Sequence, residues 1–200
     1  MYQSELRKIK TQPALDSASD NALMLKVKDG DLDKLGLLFE RYHRRLYHFF
    51  LRLTHRRDMS EDLVQEVFER IIKYRNTYSS DGSFTTWIFQ IARNLQIDHY
   101  RKHQNKEQPD YFAELDHLEG NHFESEQEKQ QNHQLRLLQT ALEKLDDTKK
   151  QTLVLSRFQG FKYKEIAEIM DCTESAVKVR IFRAIQELEV YVKELKRKQL

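Results

Sequence analysis

The sequence predicts an all-α protein made of two small helical domains that are joined by a flexible acidic linker. Apolar residues recur at three-and-four spacing along most of the chain, as on the buried face of a helix. No stretch shows the alternation of apolar and polar residues that is typical of strands. The 200 residues include only 5 glycines and 2 prolines, and the 39% hydrophobic and 33% charged composition suits helix-rich domains with packed cores.

Composition divides the chain into four parts. Pro13 lies in a polar leader, and Pro109 and Gly120 interrupt a weakly periodic middle stretch. That stretch carries eight acidic residues against two lysines between Gln104 and Gln134, whereas Thr148 to Leu200 carries twelve Lys and Arg against seven acids. The more basic ends, rather than the linker, are therefore expected to face a polyanion. The predicted parts are a flexible leader at 1–19, a helical domain at 20–103, an acidic linker at 104–133 and a second helical domain at 134–200.

Four helices are predicted in the first domain. Gly30 is expected to close the first helix, and a polar loop at 76–83 leads to the fourth, which runs to about Lys102. Early acidic residues in the third helix suit the positive end of the helix dipole. The predicted starts are Asp20 as an N-cap, Asp31, Ser60 and Phe84.

The second domain has helical periodicity from about 135 to 145, followed by a helix that Thr148 is predicted to cap. The helix YKEIAEIM comes next, and a short break at Asp171 and Cys172 separates it from a long last helix. Thr173 can accept the free N–H groups that open this last helix. Two amphipathic helices joined by so brief a turn predict a helix-turn-helix.

A helix-turn-helix reads DNA by placing its second helix in the major groove, where the edges of the base pairs differ. Val177, Ile181, Ala184 and Leu188 form the predicted buried stripe of that helix. A helical hairpin with a solvated basic face is the alternative interpretation. The residues predicted to lie off the buried stripe are Lys178, Phe182 and Arg183, with Arg180 near its boundary.

The third and fourth helices expose different chemistry. Opposite its apolar stripe, the third helix carries the polar and acidic residues Asp62, Gln65, Glu66 and Glu69, which form either a docking face or a merely solvated one. The loop before the fourth helix is rich in Tyr, Asn and Ser, and Trp87 lies beyond it. Single-stranded DNA is held by aromatic stacking and a cationic track, which this segment could supply. Core packing is the preferred interpretation of Trp87.

Several classes of function are disfavoured. The single cysteine, Cys172, excludes an internal disulfide framework and fits a reducing cytoplasm. The eight histidines show no metal-ligand spacing such as HExxH, and the cysteine has no identifiable base partner, so no cofactor, metal site or enzymatic activity is expected. No apolar run approaches the roughly 18 residues of a membrane span, so no membrane insertion is expected.

Four strings in series resemble the extracytoplasmic-function (ECF) group of bacterial sigma factors. The strings are GDLDKLGLLFERYHRRLY, EDLVQEVFERI, FTTWIFQIARNLQIDHYRK and YKEIAEIMDCTESAVKVRIFRA. The similarity covers about 20–101 and 135–192. It implies that the first domain is sigma region two, the second is region four, and the chain brings core RNA polymerase to promoters. An anti-sigma factor or another regulatory protein is an expected partner.

The resemblance also implies roles for individual residues. The helix that contains Asp62, Gln65, Glu66 and Glu69 would bind the clamp helices of the polymerase β′ subunit, with the β subunit also a partner of the holoenzyme. The acidic linker would thread towards the RNA exit path. Residues implied in opening and reading the −10 element are Asn76, Tyr78, Ser80, Asn94 and Arg101. Residues implied in reading the −35 element are Lys178, Val179, Phe182 and Arg183, with Arg180 nearer the backbone.

Two residues depart from the family pattern. Val179 stands where the family often has serine, and Ile185 stands where it often has a basic residue. A valine can touch a thymine methyl but cannot donate a hydrogen bond, so the −35 preference is expected to be altered or weakened. Two alternatives therefore remain: a sigma-like adaptor whose DNA site is chosen by a separate protein, and a helix-turn-helix regulator that does not bind polymerase.

Overall fold

The computed structural model describes residues 18–103 and 137–197, and within them the secondary structure is helical with no strand. The predicted leader and acidic linker lie almost entirely outside the described residues. The helices are α1 (Asp20–Lys28), α2 (Asp33–Thr54), α3 (Arg57–Tyr74), a 3₁₀ turn (Arg75–Thr77), α4 (Phe84–His103), α5 (137–143), α6 (Asp147–Arg157), α7 (Tyr163–Met170) and α8 (Glu174–Arg197).

Helices α1 to α4 pack into a bundle around an aromatic core. Phe49 lies against Phe50 at 5.4 Å and against Phe89 at 5.5 Å between ring centroids, in edge-to-face arrangements that favour aromatic pairs. Tyr42 joins this core and binds the carboxylate of Asp20 through its hydroxyl, at 2.6 Å. Burial, aided by the hydrogen bond to Asp20, raises the pKa of Tyr42 far above its usual value. The core therefore fixes α1 and α2 relative to α4.

Three predicted helix starts in the first domain are wrong by one to three residues. Ser19, not Asp20, caps α1, because the Asp20 carboxylate is engaged by Arg41 and Tyr42 on the next helix. The second helix begins at Asp33 rather than Asp31. The third begins at Arg57 rather than Ser60, whose buried hydroxyl donates to the carbonyl of Arg56 inside the first turn. Gly30, at φ +106°, follows α1 in the left-handed region, as expected of a residue that closes a helix.

In the second domain, Asp146 caps α6, so the prediction of Thr148 is also wrong. The Asp146 carboxylate accepts from the backbone N–H of Lys149 at 3.0 Å, and its extended backbone suits the cap position. The helix-turn-helix is confirmed in α7 and α8. Asp171 makes the turn in the left-handed conformation, and the Thr173 hydroxyl accepts from the N–H of Ala176 at 3.2 Å.

Replacing Asp146 with alanine is expected to lower the free energy of unfolding by about 1 kcal/mol, because an N-terminal N–H of α6 loses its acceptor. Asp146→Asn should retain most of the stability, since an amide oxygen also caps helices. Thr148→Ala is the comparison that separates the two cap positions. Urea unfolding of the three variants measures the effect, and a larger loss for Thr148→Ala than for Asp146→Ala would contradict this cap.

The two helical domains pack directly against each other. Helix α4 of the first domain contacts α7, and α2 contacts α6. One continuous apolar cluster contains Phe89 from the first domain and Phe161 from the second, with ring centroids 4.9 Å apart. The helix-turn-helix therefore lies beside the fourth helix in this conformation.

Candidate functional site

The acidic docking face lies on the outer side of α3. We use this name for Asp62, Gln65, Glu66 and Glu69, of which Asp62, Gln65 and Glu69 are exposed and Glu66 is half-buried. The apolar side of the helix, including Val67 and Ile71, is buried in the bundle. All four docking-face residues line one open groove. The structure thus brings the four predicted residues together on a single accessible surface.

Arg70 connects this face with α4. Its guanidinium donates to the Glu66 carboxylate at 2.9 Å and to the Asp98 carboxylate at 3.2 Å. Because Arg70 is largely covered, this bridge is better shielded from solvent than an ordinary surface ion pair. The bridge was not predicted from the sequence, although an acid and an arginine four residues apart on one helix are a signal for such a pair.

The loop before α4 is held by Asn21 of α1. The Asn21 side chain donates to the carbonyl of Gly82 at 2.9 Å and accepts from the backbone N–H of Phe84 at 2.8 Å. Asn76 and Ser80, two of the residues predicted to contact the −10 element, are exposed on this segment. The loop is therefore fixed at its α4 end and displays polar side chains.

Tyr78 lies inside the domain instead of on this exposed loop surface. Only 1% of the residue is exposed, and its ring contacts Trp87 edge-to-face at 5.0 Å between centroids. Burial raises the pKa of Tyr78 to about 12. Trp87 is itself half-buried against the core, in agreement with the preferred packing interpretation. In this conformation Tyr78 supports the loop and presents no stacking surface to a base.

A second open groove, of about 690 Å³, runs along α4 and the end of α3. Asn94 and Arg101 line it and are exposed, as predicted, and Trp87 forms part of its wall. Arg93 also lines it but is half-buried, and burial followed by the nearby Arg180 lowers the pKa of the Arg93 guanidinium. The groove combines cations, an amide and an aromatic wall, which is the chemistry that holds single-stranded nucleic acid.

On α8, the predicted DNA-reading residues occupy one exposed side. Val179 is 46% exposed and Phe182 is 62% exposed, and Lys178 and Arg183 are also exposed. Arg180 is half-buried and donates to the Cys172 sulfur at 3.3 Å, so its side chain lies along the turn. The structure places the four exposed residues side by side and sets Arg180 apart.

Ile185 does not belong to that exposed side. It is partly buried and packs against the apolar clusters of the second domain. An isoleucine at this position therefore has a packing role, and it does not remove a basic residue from the DNA-reading surface of this chain. Val179 remains the exposed departure from the family pattern.

Within 18–103 and 137–197, no group of His, Cys, Asp and Glu is arranged to hold a metal ion. In the same ranges, every helix is too short or too polar to cross a bilayer.

Comparison with known proteins agrees with this architecture. The family model Sigma-70 region 2 matches residues 38–106, and the model Sigma-70, region 4 matches residues 135–188. The first match begins within α2 and includes α3 and α4, and the second falls on the domain of the helix-turn-helix. The fold and its surfaces thus define the class of protein as a sigma-70-type transcription initiation factor.

Similar proteins narrow the class. The ECF RNA polymerase sigma-E factor of Haemophilus influenzae is 30% identical over 182 residues, covering 87% of this chain and 95% of that protein. The sigma-E factor of Escherichia coli K12 is 28% identical over 193 residues, covering 92% and 99%. The chain belongs to the ECF RNA polymerase sigma factors. It is an alternative sigma factor, which directs transcription initiation from promoters.

Solved structures show the same fold. The structure of CnrH in complex with the cytosolic domain of CnrY matches with a TM-score of 0.67 at 21% identity, covering 88% of this chain and 99% of that one. The sigma factor RpoE in complex with the anti-sigma factor NepR from Bartonella quintana matches with a TM-score of 0.55 at 21% identity, covering 84% and 98%.

Proposed function

We propose that the sigma factor binds core RNA polymerase through the docking face on α3. The supporting observation is that Asp62, Gln65 and Glu69 are exposed side by side, while the opposite, apolar side of α3 is buried in the core of the bundle. The face is thus available to a partner at no cost to the fold. The clamp helices of β′ are the proposed partner, and the acidic side of α3 would favour a contact surface of complementary charge.

The groove along α4 is the proposed −10 site. Asn94 and Arg101 line the groove, and Asn76 and Ser80 are exposed on the preceding segment, where they can reach the edges or backbone of unstacked bases. Tyr78 is proposed to act from inside the domain, by holding the loop against Trp87. The proposed order of events is polymerase binding, followed by capture of the opened −10 strand.

The exposed side of α8 is the proposed −35 site. Lys178 and Arg183 supply cations, and Val179 and Phe182 supply apolar contacts for thymine methyl groups. Lys178 is 3.1 Å from Glu174 on the same helix, so part of its charge is neutralised before DNA binds. Arg183 is therefore the stronger candidate for a base contact, and Arg180, near the turn, is the candidate for a backbone contact.

The adaptor function is a second proposal, which Val179 favours. An exposed side that carries Val179 and Phe182 offers fewer hydrogen bonds to bases than a polar one, and it suits contact with another protein equally well. The chain would then bind polymerase while a second protein selects the DNA. An anti-sigma factor is the proposed regulatory partner, by analogy with the sigma factor RpoE, which was solved in complex with the anti-sigma factor NepR, and the cytoplasm is the proposed location. The linker, outside the described residues, would run towards the RNA exit path.

The double substitution Asp62→Ala with Gln65→Ala is expected to weaken binding of core polymerase by about tenfold, the effect of losing roughly 1.4 kcal/mol at an interface. Both side chains are exposed, so helicity and unfolding should change little. Titration of labelled sigma factor with core polymerase measures the affinity. Glu40→Ala, which removes one exposed acid from α2, is the matched control.

Unchanged core affinity in the double variant, with folding intact, would overturn the assigned face. A large loss of helicity would instead mean that the face is structural.

Run-off transcription from genomic fragments distinguishes the two proposed functions. Initiation by polymerase and this chain alone supports autonomous promoter reading, and initiation only after a further protein is added supports the adaptor.

A further inference from the structure

Helix α1 is hydrogen-bonded to both ends of the exposed loop that precedes α4. We call residues 78–83 the α3–α4 loop. At its first residue, the Lys28 ammonium donates to the carbonyl of Tyr78 at 2.7 Å. At its far end, the Asn21 side chain donates to the carbonyl of Gly82 at 2.9 Å and accepts from the backbone N–H that begins α4 at 2.8 Å. One helix, at least 50 residues earlier in the chain, therefore anchors the loop at two points.

The two anchoring residues lie on the same side of α1. Asn21 and Lys28 are seven positions apart, which is close to two helical turns and about 10 Å along the helix axis. The loop makes a turn at residues 80–81, between the two anchors, and its residues from Ser79 to Ser83 are exposed. Helix α1 thus fixes the ends of the loop and leaves its middle accessible to a ligand.

Helix α1 is itself firmly attached to the bundle. Its apolar residues Leu23, Met24 and Val27 are completely buried in the core. Its N-terminal end is bound by Arg41 of α2, which donates to the carbonyl of Ala18 at 3.0 Å and forms an ion pair with α1. Because the helix is held by its apolar side and by this ion pair, its two anchors give the loop a fixed support.

The composition of the α3–α4 loop makes such support necessary. Apart from Tyr78, which packs against Trp87, the loop consists of small polar residues and a glycine, whose ordering costs conformational entropy. The hydrogen bond from the Ser79 hydroxyl to the Asp81 carboxylate, at 2.5 Å, is local and ties the loop only to itself. A side chain that reads an unstacked base has to be placed to within about 0.5 Å, which a loop with local bonds alone does not achieve.

We infer that α1 positions the α3–α4 loop for reading the −10 element, and that Asn21 and Lys28 are its positioning residues. The inference rests on the proposed −10 site. The residues that line the groove along α4 come from α3, α4 and the turn between them, and none belongs to α1. Exposed loop residues would select the bases of the opened strand, and the two anchors on α1 would set the position from which they act.

Two substitutions release one end of the loop each. Lys28→Met removes the donor to the Tyr78 carbonyl and keeps a long side chain, and Asn21→Ala removes both hydrogen bonds at the other end without harming helix propensity. Lys28→Arg can still donate to the carbonyl and is the rescue variant. Lys26→Met is the matched control, because it removes the same charge from an exposed position on the same helix.

Base preference is measured by run-off transcription with reconstituted holoenzyme. The template is a genomic fragment that the wild-type holoenzyme transcribes, randomised over its −10 element. Lys28→Met and Asn21→Ala are each expected to lower the preference for the favoured bases by about five- to tenfold, the lower end of what a base contact provides. Affinity for core polymerase should stay within about twofold. Lys26→Met should keep the wild-type preference, and Lys28→Arg should keep most of it.

Trp87 reports directly on the position of the loop. It is the only tryptophan among the 200 residues, and its ring contacts that of Tyr78. In the free sigma factor, both releasing variants are expected to shift its fluorescence to longer wavelength and to increase quenching by acrylamide, because the covering loop moves away. The control Lys26→Met should leave the fluorescence unchanged.

Unchanged base preference in both releasing variants would overturn the inference, and so would a uniform loss of transcription that leaves the preference intact, since α1 would then have only a structural role. Urea unfolding identifies a variant that does not fold. Asn21→Asp serves in that case, because it keeps the acceptor for the N–H of α4 and removes only the donor to Gly82.

Failure of the proposed −10 site has a different signature. Asn94→Ala and Arg101→Ala would then leave both strand opening and base preference as they are in the wild type. If these two groove variants change the base preference while the variants of Asn21 and Lys28 do not, the −10 site stands and the positioning role of α1 is refuted.

Discussion

Arg183→Ala is expected to reduce transcription from promoters that depend on the −35 element by about 5- to 150-fold, since a base-directed arginine contact contributes about 1–3 kcal/mol. Arg183 is exposed on the same side of α8 as Val179 and Phe182. Unlike Lys178, which pairs with Glu174, Arg183 makes no ion pair with the residues that the structure describes. Run-off transcription with reconstituted holoenzyme, together with a footprint of the −35 region, measures the effect.

Lys193→Ala is the matched control for this prediction. Lys193 is an exposed cation on the same helix, almost three turns further along, so its removal changes the net charge by the same amount. A loss of general electrostatic attraction would affect both variants alike and would depend on salt. Equal effects in the two variants, or an unchanged footprint with Arg183→Ala, would refute a base contact by this residue.

The helices could be predicted from the sequence because their apolar spacing is regular. The fourth helix was expected from Phe84 to about Lys102 and is observed from Phe84 to His103. Helix starts were less predictable, because several neighbouring residues can act as caps and tertiary contacts decide between them. Asp20 is the clearest case, since Arg41 and Tyr42 draw its carboxylate away from the helix end and leave Ser19 to cap α1.

The candidate surfaces were predictable where the opposite side of a helix is apolar. The buried stripe of α3 determines that Asp62 and Gln65 lie outside, whatever the rest of the fold. Loop residues carry no such periodicity, which is why the burial of Tyr78 was not anticipated. Contacts between the domains could not be predicted either. In the sequence, Gln96 and Gln151 look like ordinary exposed polar residues, whereas in the structure their side chains hydrogen-bond to each other.

His55 is expected to make the fold sensitive to mild acid. It ends α2 beside the second domain, with 13% of its side chain exposed, and burial followed by the charge of Lys150 lowers its pKa from 6.5 to about 4. Between pH 6.5 and about pH 4, the His55 imidazole is therefore mostly protonated in the unfolded chain and mostly neutral in the folded chain. Stability contributed by neutral His55 is complete above pH 6.5 and is lost progressively towards pH 4, by up to about 3 kcal/mol.

Glu143 acts in the opposite direction, because its carboxylate is 3.6 Å from the imidazole Nε2 and would favour protonation. The Glu143 side chain is 39% exposed, so solvent weakens its attraction for the imidazole. The His55 side chain is only 13% exposed, so the effect of burial on its pKa is the larger of the two. His55→Asn tests the balance, since asparagine tolerates the left-handed backbone at φ 56° and does not titrate. Urea unfolding at about pH 7 and about pH 4.5 should show a smaller acid-induced loss in this variant than in the wild type. Equal losses would mean that Glu143 offsets the burial and that other groups cause the acid sensitivity.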